Sequence, residues 1–194
     1  MNHYFNLYLS TERMYQNIMN TLTYENLHET KKHVSIQFPY NTYLCSIPLD
    51  FTQVPLHWHN DVEIIVIKKG CGIISVDTEP KVVKAGDIIL VRPGQLHSIA
   101  QHEKDRMEYE NILFQTSLLY SDDSDPCTVG YFHPYFSLEY ELPWLFDDSF
   151  SCHQELSSCI ETIDQLCSRK PHYYELSVKG HLFHFFYLLF SSQE

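Results

Sequence analysis

Short apolar runs separated by glycine and proline occupy the middle of the chain, and they restrict its fold more than any other feature. β-Branched residues favour strands, and glycine and proline mark the turns between them. Many short strands at this spacing are typical of an antiparallel sandwich or barrel. The predicted strands are VSIQF (34–38), TYLCSI (42–47), VEIIVI (62–67), GIISV (72–76), KVV (81–83), DIILV (87–91), LHSIA (96–100) and EYENILF (108–114).

Helical patterns flank these strands. Ser10 to Leu22 predicts a short N-terminal helix, because apolar residues recur every four positions behind a capping serine. After residue 151, apolar residues step by four and three, which predicts a helix, and Pro171 separates it from a second one at about 173–191. We therefore expect a mostly-β chain, an antiparallel barrel followed by a C-terminal two-helix hairpin. The expected divisions are an N-terminal helix and arm (1–33), a barrel (34–145) and a helical hairpin (146–194).

Charge and composition exclude several classes of function. The formal charge is −12, from 25 acidic and 13 basic residues. A domain that grips nucleic acid by its phosphates needs a basic face, so we expect DNA contact only through another part of the protein. No apolar run approaches the roughly 20 residues that span a bilayer. The six cysteines form no CxxC pair, and the N-terminus lacks an apolar signal, so we expect a reduced cytoplasmic protein without membrane contact.

The stretch HWHNDVE (57–63) is the main candidate site. His57, His59 and Glu63 differ by two and four positions, so on one strand they share a face. Ile65 and Ile67 share that face, which gives the apolar walls and convergent polar groups of a ligand pocket. His97 follows the turn at 92–94 and adds a fourth polar group on a later strand.

Two motifs in this region resemble those of the cupin superfamily. The first is His57-x-His59, three residues, Glu63, six residues and Gly70. The second is Gly86, a hydrophobic strand, Pro93-Gly94, two residues and His97, with Arg92 where the superfamily usually has a proline. Together with the flanking helices, the chain resembles the N-terminal sensor and dimerisation domain of AraC/XylS-type transcription regulators.

That resemblance implies a function. Such domains bind a small-molecule effector, in some cases a carbohydrate, and form homodimers. A DNA-binding domain of two helix-turn-helix units would be expected after residue 194. The effector would lie near His57, His59, Glu63 and His97, with Tyr109 and Phe38 as further pocket candidates. The helical stripe fits either intramolecular packing or a dimer interface, and the interface residues would be Leu156, Cys159, Ile163, Leu182, Phe186 and Leu189.

The same four polar residues also suit a divalent metal. Three imidazoles and a carboxylate fit Zn, Ni, Mn or Fe(II) with open positions left over. The alternative is a pocket that hydrogen-bonds a polar ligand without metal, and the regulator resemblance favours this, with no cofactor and no catalysis. An enzyme, namely a metal-dependent dioxygenase or sugar isomerase, is the competing interpretation. A regulator that senses the metal itself is the third.

Overall fold

The computed structural model describes residues 23–139 and 142–192, and strands dominate the first two thirds of this range. The strands are β1 (Tyr40–Ile47), β2 (Gln53–His57), β3 (Val62–Val76), β4 (Glu79–Lys84), β5 (Ile88–Val91), β6 (His97–Gln101), β7 (Met107–Phe114) and β8 (Leu145–Phe146). Two long helices follow, α1 (His153–Arg169) and α2 (Tyr174–Ser191). Short helical turns cover Thr116–Leu118, Thr128–Phe132 and His133–Phe136. Residues 23–26 are helical, whereas the predicted helix Ser10–Leu22 lies outside the described residues.

One long strand, β3, belongs to two sheets. Its first half pairs with β5 and β7, and β1 and β8 extend this sheet in the order β1-β7-β3-β5-β8. Its second half pairs with β4 and β6, and β6 in turn pairs with β2. All of these pairings are antiparallel, so the two sheets fold over each other as the expected mostly-β barrel.

The crossover of β3 between the sheets occurs at a bulge. Pairing with β7 shifts register between Ile67 and Lys69, immediately before Gly70. A bulge inserts one extra residue, so the side chains that face inward change parity beyond it. Ile65 and Ile67 face the barrel interior before the bulge, and Ile74 and Val76 face it afterwards.

The other face of the first sheet is covered by the helical hairpin. Even-numbered residues of β3 such as Val62 and Ile64 join one apolar cluster with α1, α2 and the turn at 128–136. Because helices cover one face and the barrel interior covers the other, all four residues of β5 are buried. The expected barrel with a C-terminal two-helix hairpin is confirmed.

The hairpin contacts the barrel through charge as well as apolar surface. Lys68 Nζ lies 2.6 Å from Glu110 Oε2 and 3.3 Å from Asp164 Oδ2 of α1. Burial, together with the neighbouring Glu110 carboxylate, raises the pKa of Asp164 to about 6. This ionic contact therefore links β3, β7 and α1.

The residues predicted for a dimer interface belong instead to the core of the chain. Each is at most 5% exposed, and all contribute to the cluster between the hairpin and the barrel: Leu156, Cys159, Ile163, Leu182, Phe186 and Leu189. The periodic stripe was correctly assigned to helices, but its partner is the sheet of the same chain. A dimer would need other side chains of these helices.

Two predicted strand boundaries are wrong. The segment VSIQF is not a strand, since Ile36 is fully exposed and the Ser35 hydroxyl bonds both the N–H and the carbonyl of Phe38. Such local side-chain bonds compete with strand pairing. The runs VEIIVI and GIISV are one strand, because Gly70 allows β3 to continue through its bulge.

Within residues 23–139 and 142–192, no helix combines the length and the apolar character that crossing a bilayer would need.

The packing of α2 predicts different effects for a buried and an exposed leucine. Leu182 is fully buried, whereas Leu44 on β1 is 78% exposed. Leu182→Ala should lower the free energy of unfolding by about 2–5 kcal/mol, because it leaves a cavity between helix and sheet. Leu44→Ala, the matched control, should change it by less than about 0.5 kcal/mol. Urea unfolding measures both, and equal effects would contradict the packing of Leu182 against the sheet.

Candidate ligand-binding site

The four polar residues of the predicted site meet at one end of the barrel. His57 ends β2, His59 lies in the following loop, Glu63 is near the start of β3, and His97 begins β6. The stretch HWHNDVE is therefore not one strand but the passage from one sheet to the other. The predicted convergence holds all the same, because His57 pairs with His97 across β2 and β6 and the loop returns His59 to the same interior.

The Glu63 carboxylate lies at the centre of this His–Glu cluster. Its Oε2 atom is 3.1 Å from His59 Nε2 and 2.9 Å from His97 Nε2. The ring of His57 is 4.1 Å from that of His97, centroid to centroid. Glu63, His59 and His97 are at most 4% exposed, so the carboxylate and two imidazoles interact away from bulk water.

Backbone carbonyls fix the orientation of all three imidazoles. Nδ1 of His57 lies 2.9 Å from the carbonyl oxygen of Pro55, Nδ1 of His59 lies 3.0 Å from that of Asp61, and Nδ1 of His97 lies 3.0 Å from that of Gln95. A carbonyl oxygen only accepts, so each Nδ1 carries the proton and donates it. The Nε2 atom of each ring is thereby the nitrogen available for contacts within the cluster.

The proton distribution follows from these contacts. Burial alone would raise the pKa of Glu63, but the imidazoles of His59 and His97 outweigh it and hold that pKa well below its usual range. Burial would lower the pKa of His59, yet its hydrogen bond to Glu63 raises it. For His57, burial and then the neighbouring His97 lower the pKa. The cluster thus holds a carboxylate and a readily protonated His59 beside a more weakly basic His57.

These shifts give the cluster a pH window of stability. The depressed pKa of Glu63 stabilises the native state above its unfolded value of 4.5, and this is lost as pH falls through the folded pKa. The raised pKa of His59 stabilises it below 6.5, and this is lost as pH rises through the folded pKa. The ionic contribution is therefore fully present between these two values.

The donor set also fits a divalent metal. The ligand atoms of His57, His59 and His97 all lie within 4.8 Å of one another. Nε2 of His97 is buried and makes no hydrogen bond, although Glu63 is near. An imidazole that is oriented through Nδ1 and presents an unsatisfied Nε2 is the usual arrangement of a metal ligand. The cluster could thus hold Zn, Ni, Mn or Fe(II), with Glu63 as a fourth ligand.

A cavity of about 260 Å³ opens beside the cluster. His57, His59 and Glu63 form part of its wall, and Tyr109 lines it as predicted. Burial and the adjacent Cys45 thiol raise the pKa of Tyr109, so its hydroxyl stays protonated. The remaining barrel residues in the wall are Tyr43, Cys45, Phe51, Gln53, Val54, Pro55, Ile99, Asn111 and Leu113.

Phe38 does not belong to this site, and His97 does not line the cavity directly. Phe38 packs against Tyr40 and against Tyr174 of α2, on the hairpin side of the sheet. The prediction placed it on a pocket strand that does not form. His97 is buried behind the cavity wall, with its Nε2 atom 2.9 Å from Glu63 Oε2 and its ring 4.1 Å from that of His57.

Three cavity residues come from the N-terminal segment 27–33, which we call the strap. Glu29, Lys31 and His33 line the cavity opposite the barrel wall. Glu29 Oε2 lies 3.0 Å from His33 Nε2 and 3.7 Å from His57 Nε2. An N-terminal arm was predicted here, but these three residues were not among the predicted site residues. Their alternate spacing in ETKKH was the available signal, since residues two apart share a face of an extended segment.

Trp58 attaches the strap to the barrel. Its backbone N–H donates to the Leu27 carbonyl at 3.1 Å, and its carbonyl accepts from the Glu29 N–H at 2.8 Å. Its ring stacks on Tyr24 and His28, with centroids 4.6 and 4.1 Å apart. Since Trp58 stands between His57 and His59, the strap and the His–Glu cluster share one short piece of backbone.

The fold and site define a cupin-type barrel with a polar, strap-covered cavity. Residues 50–122 match the family model of the AraC-like ligand binding domain, a range that contains the His–Glu cluster and Tyr109. The chain is also 24% identical over 156 residues to an "Uncharacterized HTH-type transcriptional regulator YdeC" from Bacillus subtilis (strain 168). This alignment covers 79% of the chain and 52% of that protein, so the chain spans about half the length of its curated relative. The predicted resemblance to AraC-type regulators built on a cupin domain is confirmed.

Solved cupin structures are also similar to part of the chain. A cupin protein from Bacteroides fragilis is 23% identical, covers 47% of this chain and 76% of its own, and has a TM-score of 0.38. A predicted oxalate decarboxylase from Thermotoga maritima is 25% identical and has a TM-score of 0.36. The similarity covers 38% of this chain and 64% of that protein.

Removal of the Glu63 charge should change the titration of His59. In Glu63→Gln the ring loses its ionised partner, so burial dominates and the pKa of His59 should fall. NMR titration of the imidazole resonances, with a chelator present, measures this. Glu108→Gln is the matched control, because Glu108 pairs with Lys69 on the exposed outer surface. An unchanged His59 titration in Glu63→Gln would contradict the described contact.

Proposed function

We propose that this chain is the effector-sensing domain of a transcription regulator and that a small polar effector binds in the strap-covered cavity. The observation that carries the proposal is the composition of the cavity wall. Strap residues form one side, and the His–Glu cluster forms the other, so a bound molecule would contact both. A ligand that contacts two separate segments of the chain can favour one arrangement of them, which is what a sensor requires.

The cavity favours a small hydroxylated effector such as a sugar. Its volume of about 260 Å³ is below the roughly 300–1,000 Å³ of pockets for drug-sized ligands. Tyr43, Phe51 and Tyr109 offer ring faces, and Glu29 and Gln53 offer hydrogen-bonding groups. Aromatic faces with polar side chains between them suit the alternating apolar and hydroxylated surfaces of a carbohydrate.

A divalent metal would fit the same proposal. His57, His59, His97 and Glu63 would hold it, and it would supply a Lewis acid to which an oxygen of the effector binds. The other roles in effector binding belong to residues of the chain, whether or not a metal is bound. Glu29 and Lys31 orient the effector, and the strap excludes water from the cavity.

Signal transmission would begin at Trp58. Contact of the effector with Glu29 stabilises the closed strap, and the two backbone hydrogen bonds of Trp58 connect that strap to the His–Glu cluster. The resulting change would reach a DNA-binding segment, of the kind named in the relative, in a cytoplasmic protein. The acidic charge of this chain agrees with DNA contact by another segment.

The histidine arrangement also supports a second candidate, a metal-dependent enzyme such as a dioxygenase or a sugar isomerase. The cavity beside His57 and His59 would admit a substrate. This candidate differs from a sensor in one measurable respect, since an enzyme converts its ligand and a sensor releases it unchanged.

Effector binding should raise the melting temperature of the chain. We expect members of a panel of sugars, sugar acids and small carboxylates to do so, because a ligand that binds only the native state stabilises it by mass action. At a ligand concentration of 100 times Kd the gain is about 2.7 kcal/mol. Glu29→Gln should weaken this effect about tenfold or more in Kd, which corresponds to about 1.4 kcal/mol. Glu25→Gln, an exposed strap-proximal control outside the cavity, should not.

Analysis of the bound compound after incubation separates the two candidates. Recovery of unchanged compound, in the presence and absence of added metal, supports the sensor. Turnover that is lost in His59→Ala would favour the enzyme instead. A panel without any stabilising carbohydrate would remove the sugar from the proposal, and equal loss in Glu25→Gln would remove the role of the strap.

We further propose that the domain forms a homodimer along the exposed face of α2. Leu176, Gly180 and Tyr187 are spaced by four and seven residues, so they form one stripe on the helix. Leu176 and Tyr187 are 74% and 63% exposed. Nothing would contact a Cβ at Gly180, which leaves space for close approach of a second helix. This stripe lies opposite the buried residues that attach α2 to the barrel.

A charge within the stripe should separate the dimer. Leu176→Asp places an unpaired carboxylate in the proposed interface, so the mass from light scattering should fall to that of the 22.9 kDa monomer. Val82→Asp is the matched control, because Val82 is a 57% exposed apolar residue on β4. A monomeric wild-type chain, or a Leu176→Asp variant that remains dimeric, would contradict the interface.

A further inference from the structure

A second group of metal-binding side chains lies on the outside of the barrel. Cys71 projects from β3, and His102 and Asp105 belong to the turn between β6 and β7. The Sγ atom of Cys71 is 3.0 Å from Asp105 Oδ2 and 3.7 Å from His102 Nδ1, and these two atoms are themselves 3.0 Å apart. We propose that these three side chains form a binding site for a thiophilic divalent metal of the zinc type.

The distances suit tetrahedral coordination. With metal–sulfur, metal–nitrogen and metal–oxygen bonds of about 2.3, 2.05 and 2.1 Å, tetrahedral ligands are separated by about 3.4–3.6 Å. The observed separations of 3.0–3.7 Å differ from these by about 0.1–0.6 Å, so the side chains would move apart slightly to admit the ion. Three protein ligands leave the fourth position for water. Thiolate, imidazole and carboxylate together select Zn²⁺ or Co²⁺ over Mg²⁺ and Ca²⁺, which prefer oxygen ligands.

The backbone holds the three ligands together without a metal. Asp105 N–H donates to the His102 carbonyl at 2.8 Å, which closes the turn, and the Gln101 side-chain amide donates to the Asp105 carbonyl at 2.9 Å. The Cys71 N–H donates to the carbonyl of Arg106 at 3.2 Å, which joins β3 to this turn. Strand pairing and turn geometry therefore position the three ligands before a metal binds. Metal binding would need to order these side chains only slightly.

Gly70 is necessary for this close approach. Its φ is +74°, and a Cβ at that position would lie 1.8 Å from the carbonyl oxygen of Arg106. Only glycine allows β3 to pass so near the turn at this conformation. The bulge of β3 ends here, and the parity change that it causes leaves Cys71 on the outer surface.

The site is accessible and separate from the cavity. The Asp105 side chain is 51% exposed and that of His102 is 30% exposed, so an ion can enter from solvent. Five residues of extended chain separate His102 from His97, a distance on the order of 15 Å. In the metal-free state the Cys71 thiol donates to Asp105, and a bound metal would take the place of that proton. Occupation would connect β3 to the β6–β7 turn at the end of the barrel remote from the His–Glu cluster.

Co²⁺ titration of the reduced 194-residue chain tests the proposal, because thiolate coordination gives a sulfur-to-cobalt charge-transfer absorption that histidine and carboxylate sites lack. We expect this absorption to saturate with one Co²⁺ per chain and to disappear in Cys71→Ser. It should persist in Cys127→Ser, an exposed cysteine outside the site, and in Cys45→Ser, which lines the cavity. His102→Ala and Asp105→Asn should each weaken Co²⁺ binding at least about tenfold.

Several outcomes would overturn the site. Cobalt binding without sulfur charge transfer would assign the ion to the His–Glu cluster alone. Charge transfer that survives in Cys71→Ser, or that is lost in Cys45→Ser instead, would assign the thiolate to another cysteine. If the affinity for Co²⁺ were unchanged in both His102→Ala and Asp105→Asn, the proposed site would also be excluded. Circular dichroism confirms that each variant is folded, and the two exposed ligand variants provide the test even if Cys71→Ser fails to fold.

Discussion

The direction in which successive side chains of β3 point is the constraint on which the rest of the structure depends. Before the bulge, odd-numbered residues face the barrel and even-numbered residues face the helices. This alternation places Glu63 in the interior, next to the histidines, while Val62 and Ile64 form the surface on which the hairpin packs. If the register of β3 were shifted by one residue, Val62 and Ile64 would face the cavity and the Glu63 carboxylate would face the hairpin. The register of β3 therefore determines both the site and the packing of the hairpin.

A buried carboxylate is unfavourable unless other groups compensate for its lost hydration. Glu63 receives that compensation from His59 and His97, and the carbonyls behind the rings hold their Nε2 atoms towards it. The cluster is thus ordered without a ligand, yet the Nε2 atom of His97, although 2.9 Å from Glu63 Oε2, makes no hydrogen bond. This combination of fixed ring orientation and one ring nitrogen without a hydrogen bond is what makes the site suitable for a metal or a polar ligand. The strap completes it from the opposite side through Glu29 and His33.

The sequence was most informative where function depends on short-range spacing. The motif from His57 to Glu63, with His97 after a proline-glycine turn, was sufficient to predict the barrel, the cluster and the resemblance to AraC-type regulators. Helix periodicity correctly located α1 and α2. It did not reveal what their apolar stripes contact, because the same pattern fits a sheet of the same chain or a second chain. The structure resolves this ambiguity by placing Leu182 and Phe186 against the barrel.

The sequence by itself determined which residues alternate, where turns occur and which side chains have ligand chemistry. Only the tertiary structure decided which of them meet. The strap residues reach the cavity because Trp58, about thirty positions later, pairs with their backbone. Cys71 meets His102 and Asp105 across 31 and 34 positions, and only because a bulge changes the face to which it projects. Such contacts depend on strand register and on close backbone approach at Gly70, which are set by the packing of the whole chain rather than by any local pattern.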